Sequence, residues 1–248
     1  MRARVFAGAL ALATSSIVAT SSGAAAQSCP APAGADPALA ALDARDRVHF
    51  LQRELGAQAR YAALWQTTWF LARTGILAEQ VALAALSTSP DDRLDARITS
   101  VFAALPPIGT ILFGLRVARD GPRFLELDHL DTDASRCALV ARGEQFLARD
   151  AANEDEQRGW LQHVLHIGGS TALFLILGVG FGHWTNAIFN GLAGIALGEL
   201  QILSQPTGLV GAWERYRHAE LGGKRGVTFR FAPQLGANQA GLSLVATF

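Results

Sequence analysis

Between Arg158 and Glu214 the chain carries one formal charge, Glu199. Such a stretch has two outlets, the interior of a helical bundle or a lipid bilayer, and its subdivision favours the second. Residues 168–182 are free of charge and, with their flanks from Val164 to Trp184, reach the ~20 residues a helix needs to cross a bilayer. Ala187 to Leu203 follows as a second apolar stretch, interrupted only by Asn190, Glu199 and Gln201. The polar link His183 to Asn186 joins them as a helical hairpin, 164–203, with Thr185 or Asn186 expected as the N-cap of its second helix.

A weaker pair precedes it. Ser89, Pro90, Asp91 and Asp92 read as N-cap, N1 proline and acidic first turn of a helix that is free of charge over 98–115. Pro106 and Pro107 are expected to kink it, since a proline ring removes a donor and crowds the preceding turn. Its partner would be Trp65 to Leu86, where Arg73, Glu79 and Gln80 count against a full span. The pair reads as weak spans or as helices lying in the interface, so two or four spans remain open.

Polar amphipathic helices flank these hairpins. One opens at Asp36-Pro37, with Leu39, Leu42, Val48, Leu51 and Leu55 apolar among charges; another runs from about Ala134 to Arg158, after a break at Gly121-Pro122. Phe50-Leu-Gln-Arg-Glu54 matches Phe146-Leu-Ala-Arg-Asp150, Trp65 matches Trp160, and Pro107-Ile-Gly109 matches Pro206-Thr-Gly208, at nearly constant offset. A tandem duplication into parallel units explains the order; chance matching in an Arg- and Ala-rich chain is the other explanation. The C-terminal period switches to two: Val227 to Phe231 and Leu242 to Phe248 alternate around turn residues Gly236 to Gly241, a short β-hairpin. That alternation, ending in phenylalanine, resembles the assembly signal of outer-membrane barrels, but one hairpin cannot close a barrel.

The expected class is therefore mainly α. A signal segment (1–26) is followed by a first helical unit (27–121), a second unit with the membrane hairpin (122–212), and a linker with the β-hairpin (213–248). Arg2 and Arg4, the apolar run Val5 to Ala13, and Ala24-Ala25-Ala26 before Gln27 make an export signal, the run being short for an anchor. Cys29 and Cys137 then read first as one disulfide in an oxidising compartment, with free thiols or a lipidated Cys29 as alternatives. Equal numbers of basic and acidic residues exclude the footprint of a nucleic-acid binder.

Trp65, Trp69, Trp160, Trp184 and Trp213 all stand at edges of apolar stretches, where indoles suit a membrane interface, with buried anchors in a soluble bundle as the alternative. Gly178, Gly182, Gly194 and Gly198, with Ala187 and Gly191, repeat four apart and permit close helix contact, including self-association. Folding the hairpin about Trp184 and Thr185 places Glu199 opposite Ser170, with His166 and His163 nearby. These four residues form a candidate ligand or proton site, or else Glu199 is a single acid satisfied by Ser170 or Thr171. His163 and His166 lack a third metal ligand, and Asp128, Asp131 and Asp133 meet Arg136 and Arg142 where a calcium loop needs glycine and glutamate, so they read as helix-capping residues. No phosphate loop, nucleophile elbow or cofactor motif is present.

The expected protein is a non-enzymatic, exported, integral envelope protein with a structural or interaction role, in contact with membrane lipid and other envelope proteins. A ligand- or proton-handling membrane protein centred on Glu199 and a secreted soluble bundle are the alternatives. One feature opposes the first. Arg215, Arg217, Lys224 and Arg225 would follow the last span on the exported side, against the positive-inside tendency.

Overall fold

The computed structural model describes residues 27–127, 133–222, 228–236 and 239–247. The signal segment, Lys224, Arg225 and most of the acidic loop (Asp128 and Asp131) lie outside the described residues. The fold is mainly helical. After a single turn, α1 (Ala38–Ala41), come α2 (Ala44–Leu86), α3 (Pro90–Phe113), α4 (Val117–Glu126) and α5 (Asp133–Glu156). The second half continues with α6 (Trp160–Leu175), a π-helical turn Ile176–Gly180, α7 (Trp184–Leu203) and α8 (Gly208–Arg217). The backbone is extended at Thr228–Gly236 and Gln239–Thr247; Val227, Ala237, Asn238 and Phe248 of the expected hairpin lie outside the described residues.

Two sequence expectations are corrected in α2. The amphipathic helix expected from Asp36 and the apolar helix expected from Trp65 are one rod, which begins only at Ala44. Leu42 is extended (ψ 147°) and Asp43 caps the new start, its side chain accepting from Arg45 N at 2.8 Å. The rod has 43 residues. At 1.5 Å per residue this is about 65 Å, twice a bilayer core of ~30 Å, so one half must project beyond any membrane the other half crosses.

The two halves bury different things. The first half of α2 packs with α1, α4, α5 and α8 around Phe50, Leu51, Leu55, Phe124, Leu147, Leu209 and Tyr216, all 2% exposed or less. This head contains the disulfide Cys29–Cys137, which links positions 108 residues apart. It has no free cysteine among the described residues. The break expected at Gly121-Pro122 is absent, because both residues sit inside α4. Gly121 is needed for contact: a Cβ there would lie 2.5 Å from Ala59 Cβ and 2.9 Å from Leu55 O of α2. Likewise α3 continues through Pro106 and Pro107 to Phe113, and Thr110 Oγ donates to Pro106 O at 3.0 Å.

With α5 and α6 taken together as one long helical arm, the halves of the chain share one order: a long arm, an apolar return helix, then a short helix docked on the head. Phe50 of α2 meets Tyr216 of α8 at 5.5 Å between ring centres, and Phe146 of α5 meets Phe124 of α4 at 6.2 Å. Each short helix thus packs its ring on the long helix of the opposite half.

Below the head stand the second half of α2, α3, α6 with its π turn, and α7. Four helices are long and apolar enough to cross a membrane. Their outer faces carry most of the exposed large hydrophobics, among them Leu86 (79%), Trp160 (75%), Phe189 (73%) and Ile111 (68%), against Leu125 and, near the middle of α2, Leu64 on the head among the described residues. Contiguous apolar surface of this kind marks contact with lipid or a partner. Trp160 and Trp184, both exposed, lie at opposite ends of the α6 span; with the π turn it covers about 30 Å, a bilayer core. Trp65 and Trp69 behave differently: both are buried, and both indole N–H groups donate to Ser204 Oγ at 3.1 Å, tying α2 to the end of α7.

The head also holds buried acid. Glu154 is 1% exposed; its Oε2 accepts from Leu209 N at 2.9 Å at the start of α8, and its Oε1 has no partner. Burial pushes its carboxyl up to about 8. Asp150 beside it is raised too, by burial first and then by the Asp120 carboxylate. A carboxyl that stays protonated in the folded state while the unfolded chain ionises costs stability as pH rises between the two pKa values. The head is therefore expected to melt at lower temperature at about pH 8 than at about pH 5, and Glu154→Gln to flatten that slope in part, Asp150 supplying the remainder. Melting curves at the two pH values check it; equal slopes in both proteins would contradict it.

Candidate ligand site within the apolar bundle

The α6–α7 hairpin sets the geometry, and its register differs from the expected one. The chain turns at Gly182, whose φ of +73° is a left-handed conformation that glycine adopts without a Cβ penalty. α7 then begins at Trp184, with neither Thr185 nor Asn186 as a side-chain cap. The turn therefore comes earlier than Trp184–Thr185, and the facing pairs shift. Ser170 faces Gly194, where an added Cβ would lie 2.6 Å from Ser170 Oγ; His166 faces Gly198, at 2.8 Å from its ring; Phe174 faces Gly191, at 3.1 Å. Glu199 does not meet Ser170. Its Oε2 lies 2.7 Å from His163 Nδ1, and its Oε1 is buried without a partner. Gly178, Gly194 and Gly198 serve this contact inside one chain.

The two hairpins touch at their ends and part in the middle. At the head end, besides Trp65 and Trp69, Arg73 of α2 reaches α7: its Nε and Nη2 donate to Gln201 Oε1 at 3.2 and 3.1 Å. At the far end Asp95 of α3, 4% exposed, accepts from Asn186 Nδ2 at 2.6 Å and lies 2.5 Å from His183 Nδ1. Leu173, Leu177 and Ala187 form a small core there with Ile98 and Phe102. Between these closures is a cavity of about 640 Å³. Arg73, Thr99, Gln162, His166, Ser170 and Gln201 supply polar groups to its wall, as does the solvent-exposed Glu156; Phe102, Leu105, Phe113, Leu165 and Leu173 supply apolar surface.

Of the four candidate residues read from the sequence, His166 and Ser170 line this cavity, while His163 and Glu199 pair with each other outside its wall. Arg73 is the residue sequence reasoning missed. It is 7% exposed, stacks over Trp69 at 5.7 Å, and has only the neutral Gln201 side chain as a hydrogen-bond partner among the described residues. Thr99 Oγ1 is likewise buried without a partner. A guanidinium carries five donors and never loses its charge in proteins, so donors remain at Arg73 for something entering the cavity. Among the described residues no group of three or more His, Cys, Asp or Glu could hold a metal.

No protein-family model, curated protein or solved structure matches this chain.

Proposed function

We propose that the protein is an exported integral membrane protein of the cell envelope whose four-helix bundle binds a small ligand within the plane of the bilayer. The head, clamped by its disulfide, stands on the exported side. The observation that carries the reading is the cavity between the hairpins, with buried Arg73 in its wall. Charged side chains inside membrane segments are costly, face the bundle interior, and mark ligand or ion pathways. A bundle with a purely structural role would gain by closing on itself, since packed interiors leave few voids larger than water. The soluble-bundle alternative asks the exposed apolar faces of all four helices to meet water.

The His163–Glu199 pair belongs to this reading as a polar brace between α6 and α7 near the head, and His166 and Ser170 belong to the ligand wall. The shared helix order of the two halves supports a tandem duplication with parallel units. The extended segments Thr228–Gly236 and Gln239–Thr247 belong to this reading as the short C-terminal β-hairpin. The disulfide supports this orientation, because such bonds persist outside the reducing cytoplasm. The head arginines oppose this orientation by the positive-inside tendency, although Arg215 is paired with Glu54 and Arg217 with Glu214. In intact spheroplasts, added trypsin is expected to digest the head and leave the spans protected, with the mature chain starting at Gln27. A head that becomes sensitive only after lysis would place it in the cytoplasm and overturn the export reading.

A further inference from the structure

We propose that the cavity takes a single-chain anionic amphiphile, a long-chain carboxylate of the fatty-acid class, which enters sideways from the head-side leaflet between α3 and α6. The inference rests on the membrane reading above and names the ligand of that site.

The head group is identified by charge. Arg73 is a fixed cation with no acidic hydrogen-bond or ion-pair partner among the described residues; the other polar groups of the wall are neutral amides, hydroxyls and an imidazole, and its one carboxylate, Glu156, is solvent-exposed at the end of α5. An arginine in low dielectric prefers a planar, bidentate oxyanion, which a carboxylate supplies. The tail is identified by the rest of the wall. Phe102, Leu105, Pro106, Phe113, Leu165 and Leu173 continue the cavity away from the polar groups as apolar surface. About 640 Å³ falls within the usual ~300–1,000 Å³ of small-molecule sites and suits one acyl chain better than the paired chains of a phospholipid.

The route is identified by what the helices leave out. α3 and α6 meet near the far end, through Ile98, Phe102 and Leu173. Toward the head they separate, and bare glycine lines both sides: a Cβ added at Gly109 or at Gly169 would meet nothing within 4 Å, and both residues line the cavity. The side chains at the rim, Leu105 (59% exposed), Phe113 (67%) and Leu165 (59%), are apolar and open to the bilayer side. A ligand arriving from water would find this mouth unfavourable; an acyl chain already in the leaflet would not.

The test uses the full mature chain in detergent, with dibrominated stearate as probe and tryptophan fluorescence as readout, because Trp65 lines the cavity. Trp160→Phe and Trp184→Phe remove the exposed indoles that any micellar bromide would quench. Saturable quenching is expected. Arg73→Gln should weaken it by about tenfold or more, the loss of one charge-assisted contact, while Arg73→Lys retains much of it. The brominated methyl ester, neutral and otherwise alike, should not saturate. Gly109→Leu combined with Gly169→Leu fills open space, leaves the melting temperature unchanged, and should abolish quenching. Equal quenching by Arg73→Gln, equal quenching by the ester, or displacement by acetate alone would overturn the proposal, the last by showing a site for free small anions. Absence of quenching in a protein that still resists carbonate extraction would refute this ligand and leave the membrane reading standing.

Discussion

Arg47→Ala should lower the stability of the head by about 3–5 kcal/mol, the cost of stranding a buried charge. Arg47 is 0% exposed and its guanidinium makes four hydrogen bonds. Nε donates to Tyr216 Oη at 2.9 Å, Nη1 to Cys29 O at 2.7 Å, and Nη2 to Pro30 O at 2.9 Å and to Glu144 Oε1. Tyr216 Oη donates in turn to Glu144 Oε1 at 2.6 Å. One side chain thus joins the N-terminal segment, α2, α5 and α8. Alanine leaves the Glu144 carboxylate with a single neutral donor and orphans the carbonyls of Cys29 and Pro30. Arg47→Met with Glu144→Gln removes both charges, and the pair should cost clearly less than the sum of the single changes. Thermal or denaturant melts check it; a loss under about 1 kcal/mol for Arg47→Ala would show that the network contributes little.

The second large effect is expected from the disulfide. Cys29→Ser with Cys137→Ser opens a link spanning 108 residues. The chain-entropy estimate for a loop of about 100 residues is ~4.7 kcal/mol, and removal of native disulfides typically costs ~2–5. Because Arg47 holds the carbonyl of Cys29, bond and ion pair fix the same short segment, and their losses should not add: once the disulfide is gone, Arg47→Ala should cost less than in the intact protein. Before any mutation, mass analysis under non-reducing conditions should find the mature chain lighter by the hydrogens of one bridge, with no alkylatable thiol. Two reactive thiols in unreduced protein would contradict the pairing.

Much of this architecture is written in local signals. The run from Val164 to Leu203, with Glu199 its single formal charge, reads as a hairpin because nothing in it competes with that reading, and two cysteines behind a segment that reads as an export signal admit few pairings. Less legible is anything set by where one helix meets another. The long rod of α2 hides in the sequence because its periodicity changes at Trp65, where it passes from the head to the apolar bundle; a change of environment reads like a change of element. Trp65 and Trp69 look like interface anchors because position along the chain does not tell which face an indole takes. Gly121 looks like a breaker, although its role is to let α4 rest on α2.

The register of the α6–α7 hairpin depends on one dihedral, at Gly182, and moving the turn by a few residues exchanges Ser170 for His163 as the neighbour of Glu199. Arg73 is the most instructive case. Its charge counts against a span when hydropathy is summed, yet an ionisable group in an otherwise apolar helix is itself the pointer to a site. The sequence-level focus on Glu199 follows the same rule applied to one helix only.

The central claim is that α2, α3, α6 and α7 cross a membrane, and alkaline carbonate extraction of the membrane fraction tests it most directly. The wild-type protein is expected to remain wholly in the pellet and to enter solution only with detergent. Cys29→Ser with Cys137→Ser should remain there as well, since the exposed apolar faces, not the head, hold it. Release of the wild-type chain into the carbonate supernatant as a monodisperse species would contradict the account, because those faces would then have to be covered by protein.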